Sequence, residues 1–276
     1  MKKKIIGLFC FILICVNLFA GQIFYVTTTG NDLNDGKSWD TAFADVQTAI
    51  DAAYAVATED NPSEVWIAAG TYKHGSAMTM KNNVEIYGGF AGTETSKEER
   101  TSGNETILDG EGKYRIFYNN YIDVEPLTNS SKLDSITIQN GYRYEHSGAG
   151  MYNYYSSPEI TNCIFTHNIV QKANGGGIYN CNSSPIVKDC IFSENIANTN
   201  SYDNGIRYGG GMYNEDFSNP IITNCTFLKN EAGALGGGIC NRNSSNPILM
   251  NCTFLENNSS NGGGIYNSSS NPILIN

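Results

Sequence analysis

Residues 175–180 read "GGGIYN", and the same six letters return at 262–267. Between and before them stand "GGGMYN" at 209–214, "GGGICN" at 236–241 and "GAGMYN" at 148–153. Successive copies are 27, 34, 27 and 26 residues apart, too short for a domain and suited to one supersecondary unit per repeat. Working outward, each cluster is followed by a Ser/Asn-Pro step (Pro158, Pro185, Pro220, Pro247, Pro272) and a strand-like run such as "SNPIITNCTFLKN". A unit of this size cannot bury its apolar face alone, whereas stacked neighbours can.

Alternation decides between helix and strand. Cys163 and Phe165 are two apart, as are Cys190/Phe192, Cys225/Phe227 and Cys252/Phe254, and β-branched residues surround them. Upstream, Ile160, Ile186, Ile222 and Leu249 are read as inward positions, separated from the cysteines by a corner at Asn162, Asp189, Asn224 or Asn251, residue types that tolerate left-handed backbone. A second corner is expected at Asn168, Asn195, Asn230 and Asn257, with Asn stacked on Asn, and a third at the glycines. Three short strands and three corners make one turn of a parallel β-helix, with Phe over Phe and Cys over Cys inside.

The front differs. Residues 1–20 carry Lys2, Lys3 and Lys4 before an apolar run of about 15 residues ending near Ala20, the layout of a cleaved secretory signal. Cys10 and Cys15 lack the small preceding residue of a lipoprotein signal, and no second long apolar run follows. Residues 21–110 read as an N-terminal cap and first irregular coils: a strand at 24–28, a turn-rich "NDLNDG", a helix at 41–57 burying Ala42, Phe43, Val46, Ala49, Ile50 and Ala53, and a strand at 65–69. The helix is expected to plug the open apolar end of the coil, which otherwise recruits other chains. Residues 111–276 are the β-helix repeats, which stop at Asn276 within a repeat, the pattern of a fragment, a truncated product or an end covered by another copy. The fold class is therefore all-β, a parallel β-helix with an N-terminal capping helix.

At the level of these motifs the chain resembles secreted bacterial right-handed parallel β-helix proteins, with repeats similar to those of the chlamydial polymorphic outer membrane proteins. The "FxxN" of that group is matched at Phe165 to Asn168, Phe192 to Asn195, Phe227 to Asn230 and Phe254 to Asn257, and its "GGAI" at Gly175 to Ile178 with Gly in place of Ala. The resemblance implies right-handed coiling and surface display. It says little about activity, because the fold hosts lyases, hydrolases, adhesins and passenger domains alike.

Charge narrows the partners. With 27 acidic and 17 basic residues the formal charge is −10, and loss of the three signal lysines takes it to −13. Nucleic acid and anionic lipid are poor partners for such a chain, and no membrane-spanning segment is expected after signal removal. The six remaining cysteines lack zinc spacing, and stacked neighbours sit too far apart for a disulfide, so they are read as buried thiols. Asp32, Asn34 and Asp35 of "GNDLNDG" form either Asx-Gly turns or a calcium-binding loop. For catalysis, Glu215-Asp216 with Lys188 is the first cluster and Glu145-His146 beside Arg143 the second, and neither has a spacing that forces convergence. No catalytic, cofactor or metal residue is assigned.

Aromatics offer another lead. If Ile178 points inward, Tyr179 points outward, and the same step sets Tyr152, Tyr213 and Tyr266 in a row interrupted by Cys240. The row either forms a platform for sugar rings or protein, or packs beneath the loops that join the coils. One loop, 196–208, exceeds its counterparts by about seven residues and carries Tyr202, Arg207 and Tyr208, and long loops on a rigid solenoid are where recognition resides. The reading is thus an exported surface module that recognises a glycan or a host or neighbour-cell surface protein without catalysis, with a polysaccharide lyase or hydrolase and a structural spacer as alternatives.

Overall fold

The computed structural model describes residues 21–101, 103–198 and 207–276. Residues 1–20, expected to be a signal, and Tyr202 lie outside them. Strands stack in four parallel sheets of nine, six, seven and four strands, each strand pairing with its counterpart one coil away. The expected coil therefore holds up to four strands rather than three. The fourth sheet, built from Tyr142–Tyr144, Ile169–Gln171, Ile196–Asn198 and Glu231–Ala232, falls between the "FxxN" corner and the glycine cluster. Its strands are so short and mixed in character that two-residue alternation was not visible.

The inner wall follows the repeat closely. Phe165, Phe192, Phe227 and Phe254 pair in register with ring centroids 5.1, 4.7 and 5.0 Å apart and nearly parallel planes. Cys163, Cys190 and Cys225 are buried beside them. One column was misread by a residue. Ile160 pairs with Val187, which pairs with Ile222, while Ile186 pairs with Glu159 and Ile221 on the outer face. The inward residue lies three before the cysteine in every coil, and the adjacent Ile-Val pair concealed it.

Corners have positive φ at Asn162, Asp189, Asn224 and Asn251, as the residue types foretell (φ 53, 53, 54 and 51°). At the "FxxN" corner, however, the left-handed residue is the one before the asparagine: His167, Glu194, Lys229 and Glu256. The asparagine itself turns inward and stacks. Asn168 Nδ2 donates to Asn195 Oδ1 at 2.9 Å, Asn195 to Asn230 at 3.0 Å and Asn230 to Asn257 at 2.9 Å, and each also donates to a carbonyl of the preceding coil. A second ladder, unforeseen, runs through the last letter of each "GGGIYN": Asn119, Asn153, Asn180, Asn214, Asn241 and Asn267, joined at 2.8–3.0 Å. Buried amides must be paired, and a column of identical amides pairs itself.

The glycines divide two tasks. Gly175 has φ +67°, a left-handed turn that glycine enters without strain. Gly177 has ordinary φ, but a Cβ there would stand 2.4 Å from the carbonyl oxygen of Gly211 on the next coil.

In the front segment one α-helix, Val46–Tyr54, is shorter than expected. Asp45 caps it, accepting from Thr48 N at 2.8 Å, while Ala42 and Phe43 are buried from extended chain that bridges Val26. Val46, Ala49, Ile50 and Ala53 join the main core beside strands Ile23–Val26 and Ser63–Ala68, so the helix covers the first coil. The early coils are more regular than expected: Val84–Phe90 and Thr106–Asp109 pair in parallel with Lys132–Asp134 and Thr137–Gln139.

Candidate functional site

The outer face of the six-stranded sheet carries the tyrosine row. Tyr118, Tyr152, Tyr179, Tyr213, Cys240 and Tyr266 follow one another in register. Tyr118 extends the row one coil earlier than was read, because its coil, "FYNN", lacks the glycine cluster that guided alignment. Tyr118 and Tyr152 lie 5.1 Å apart, and Tyr152 stacks on Tyr179 at 4.9 Å with an 11° tilt.

The row is not an open platform along its whole length. Tyr179 is 8% and Tyr213 1% exposed, while Tyr118 is 38% exposed and Tyr152 and Tyr266 are half-buried. The covering comes from the base of the long loop. Tyr208 lies 5.5 Å from Tyr213 and is itself overlain by the Arg242 guanidinium at 4.6 Å. Tyr208 is tied down by its N–H to Asn174 Oδ1 at 3.0 Å and by Gly175 N–H to its carbonyl at 2.9 Å. Arg207, also half-buried, adjoins it. The phenols of Tyr179 and Tyr213 both donate to the Glu215 carboxylate, the latter at 2.8 Å. Burial first, then the Glu215 charge, pushes both phenols far above their ordinary pKa. Burial likewise raises the Cys181 and Cys240 thiols to about 12. The row thus has a sealed middle and an open front around Tyr118 and Tyr152.

The carboxylate clusters do not converge on reaction chemistry. Lys188 is on the nine-stranded sheet and pairs with Glu159 at 3.2 Å, away from Glu215. Asp216 accepts from Asn243 at 3.0 Å. Asp32 accepts from the N–H groups of Ala44 and Asp45 at 2.9 and 2.8 Å, Asp35 from Thr41 and Lys37, and Asn34 donates to the Ala42 carbonyl. All three serve the turn.

The second cluster partly assembles. Arg143 and His146 share a cleft of about 470 Å³ with Arg115, Tyr114, Tyr118 and Tyr152, at the open front of the row. Glu145 instead pairs with Lys172 at 3.4 Å. The Arg115 guanidinium lies 4.8 and 4.9 Å from the Tyr118 and Tyr152 ring centroids and donates Nε to the Gly148 carbonyl at 2.7 Å. Burial, and then the charge of Arg143, lower its pKa to about 10. Sequence reasoning missed Arg115, which stands in an irregular coil with no repeat signature.

Residues 111–276, more than half of the chain, match the family model for a right-handed β-helix region. The chain belongs to this family. The match assigns the coil its right-handed sense. Comparison with curated proteins and with solved structures finds no match. Among the described residues, no helix of the β-helix is long and apolar enough to cross a membrane.

Proposed function

We propose that this β-helix is an exported surface-recognition module that binds a glycan or a cell-surface protein on the outer face of its six-stranded sheet and performs no chemistry on it. The observation that carries the reading is the graded tyrosine row: a sealed, rigid middle continuing into an exposed aromatic front with two arginines beside it. Aromatic faces flanked by donors suit sugar rings and protein hot spots alike. A rigid support lowers the ordering cost of binding. Export follows from the reading of residues 1–20.

The test pairs a glycan array with a product assay on mixed plant and microbial polysaccharides. Binding without turnover is expected, weakened by Tyr118→Ala together with Tyr152→Ala. New reducing ends or unsaturated uronate products would replace this reading with a lyase or hydrolase. Silence in both assays would favour a spacer.

A further inference from the structure

The fourth sheet contains a residue out of keeping with its column. Val170, Ala197 and Ala232 follow one another in register and are buried, with 0, 0 and 2% exposure. The position that precedes Val170 in the same column is Arg143. Its Nε is buried and has no hydrogen-bond partner, and Arg143 makes no ion pair among the described residues. Burying a guanidinium nitrogen without an acceptor costs stability that the Val or Ala of the next coils does not.

Arg115 compounds the imbalance. It is 7% exposed, its Nε and Nη2 donate to the carbonyls of Gly148 and Ser147, and no carboxylate pairs with it among the described residues. Two like charges thus face one cleft in a chain of net charge −10. The nearest acid in sequence, Glu145, is engaged by Lys172. Tyr114, Tyr118 and Tyr152 supply flat walls, and the volume is that of a small-ligand pocket. An anion with a ring behind it would meet two guanidinium charges that no carboxylate among the described residues balances and the aromatic surface together.

We infer that the cleft between Arg115 and Arg143 is a binding site for the carboxylate or sulfate group of an acidic saccharide. The inference rests on the recognition reading and gives it a ligand class. A neutral sugar would leave both guanidinium charges without a counter-charge.

The experiment titrates the purified chain, by calorimetry, with a uronic-acid disaccharide, a sulfated disaccharide and their neutral counterpart. Saturable binding of an acidic sugar is expected, weakening as salt rises, with the neutral sugar at least about tenfold weaker. Preference between the two acidic probes tells carboxylate from sulfate. Arg143→Leu, which restores the apolar column, is expected to raise the melting temperature while weakening acidic-sugar binding about tenfold or more; Arg143→Gln is expected to weaken it similarly. Equal binding of the neutral sugar, retention of acidic-sugar affinity in both variants, or no saturable binding of either acidic probe overturns the inference. Glycan-array binding of neutral sugars or protein ligands would then leave the recognition reading standing, whereas a silent array removes both.

Discussion

The regular coils and the front segment solve the same problem, holding stacked strands together, with different chemistry. Along the regular repeats the buried columns are held by neutral groups: two asparagine ladders, and serines whose hydroxyls accept the backbone N–H of the preceding coil at Ser156, Ser183 and Ser218. Towards the front, part-buried ionic contacts that occur once each are added to neutral ones such as those of Thr106 and Tyr72. Arg100 pairs with Asp134 at 2.8 Å, Lys97 with Glu64 at 2.7 Å, and Asp45 with His74 at 3.2 Å. Burial opposes ionisation of Glu94, but the N–H groups of Ala91, Thr93 and Gly92 outweigh it and hold its carboxyl below the usual range. A repeating coil places like on like, so charge in a buried column would repel itself along the whole solenoid. Amides, which donate and accept, escape that penalty. An end segment has no repeat to satisfy and can use opposite charges.

The largest expected effect comes from breaking a column in the regular region. Phe192 is fully buried between Phe165 and Phe227, and Phe192→Ala should cost about 3–5 kcal/mol. The loss should appear as earlier thermal unfolding of the coils by far-ultraviolet circular dichroism. A change below 1 kcal/mol would mean that the column is dispensable.

Next comes the ladder. Asn195→Ala removes the acceptor of Asn168 N–H and Nδ2 and the donor to Phe165 O and Asn230 Oδ1. Stranding such buried groups should cost about 2–3 kcal/mol. Because no charge is involved, the cost should be the same at pH 3 and pH 7, and a pH-dependent cost would break the contrast drawn above.

The smallest effect sharpens it from the other side. The hydrogen bond with His74, against burial and with help from Thr48, lowers the Asp45 carboxyl from 3.8 to about 2. A carboxyl depressed in the folded state contributes stability that is full above its unfolded value and lost as pH falls towards the folded one. With Asp45 partly exposed, the loss should be about 1 kcal/mol between pH 5 and pH 2. Asp134, where burial is outweighed by bonds from Thr161, Arg100, Ser135 and Asn162, shifts the same way. The only two tryptophans, Trp39 and Trp66, are both in the front. On acidification their fluorescence should therefore change before the coil dichroism does, and Asp45→Asn should reduce the acid sensitivity. Simultaneous loss of both signals would show that the two regions unfold as one.

The coil and much of its inner wall were legible in the chain because each buried position recurs at nearly the same spacing. Within the inner Phe column and the two Asn ladders of the repeats, the residue one coil away is another of its kind, so sequence neighbours one repeat away are also spatial neighbours. Local backbone chemistry was legible for the same reason, as at Asn162 and its equivalents. Where two β-branched residues stood side by side, at Ile186 and Val187, the letters alone could not choose the inward one, because alternation across a corner depends on where the left-handed residue falls. The tyrosine row was visible as a column, but its exposure was decided by tertiary structure. Tyr208 reaches Tyr213 from the base of the long loop, just ahead of the glycine cluster, and that contact has no periodic trace. Arg115 and Arg143 meet for the same non-repeating reason: one precedes a strand of the six-stranded sheet, the other heads a column of the four-stranded one, and only the coiling of the chain sets them around a single cleft.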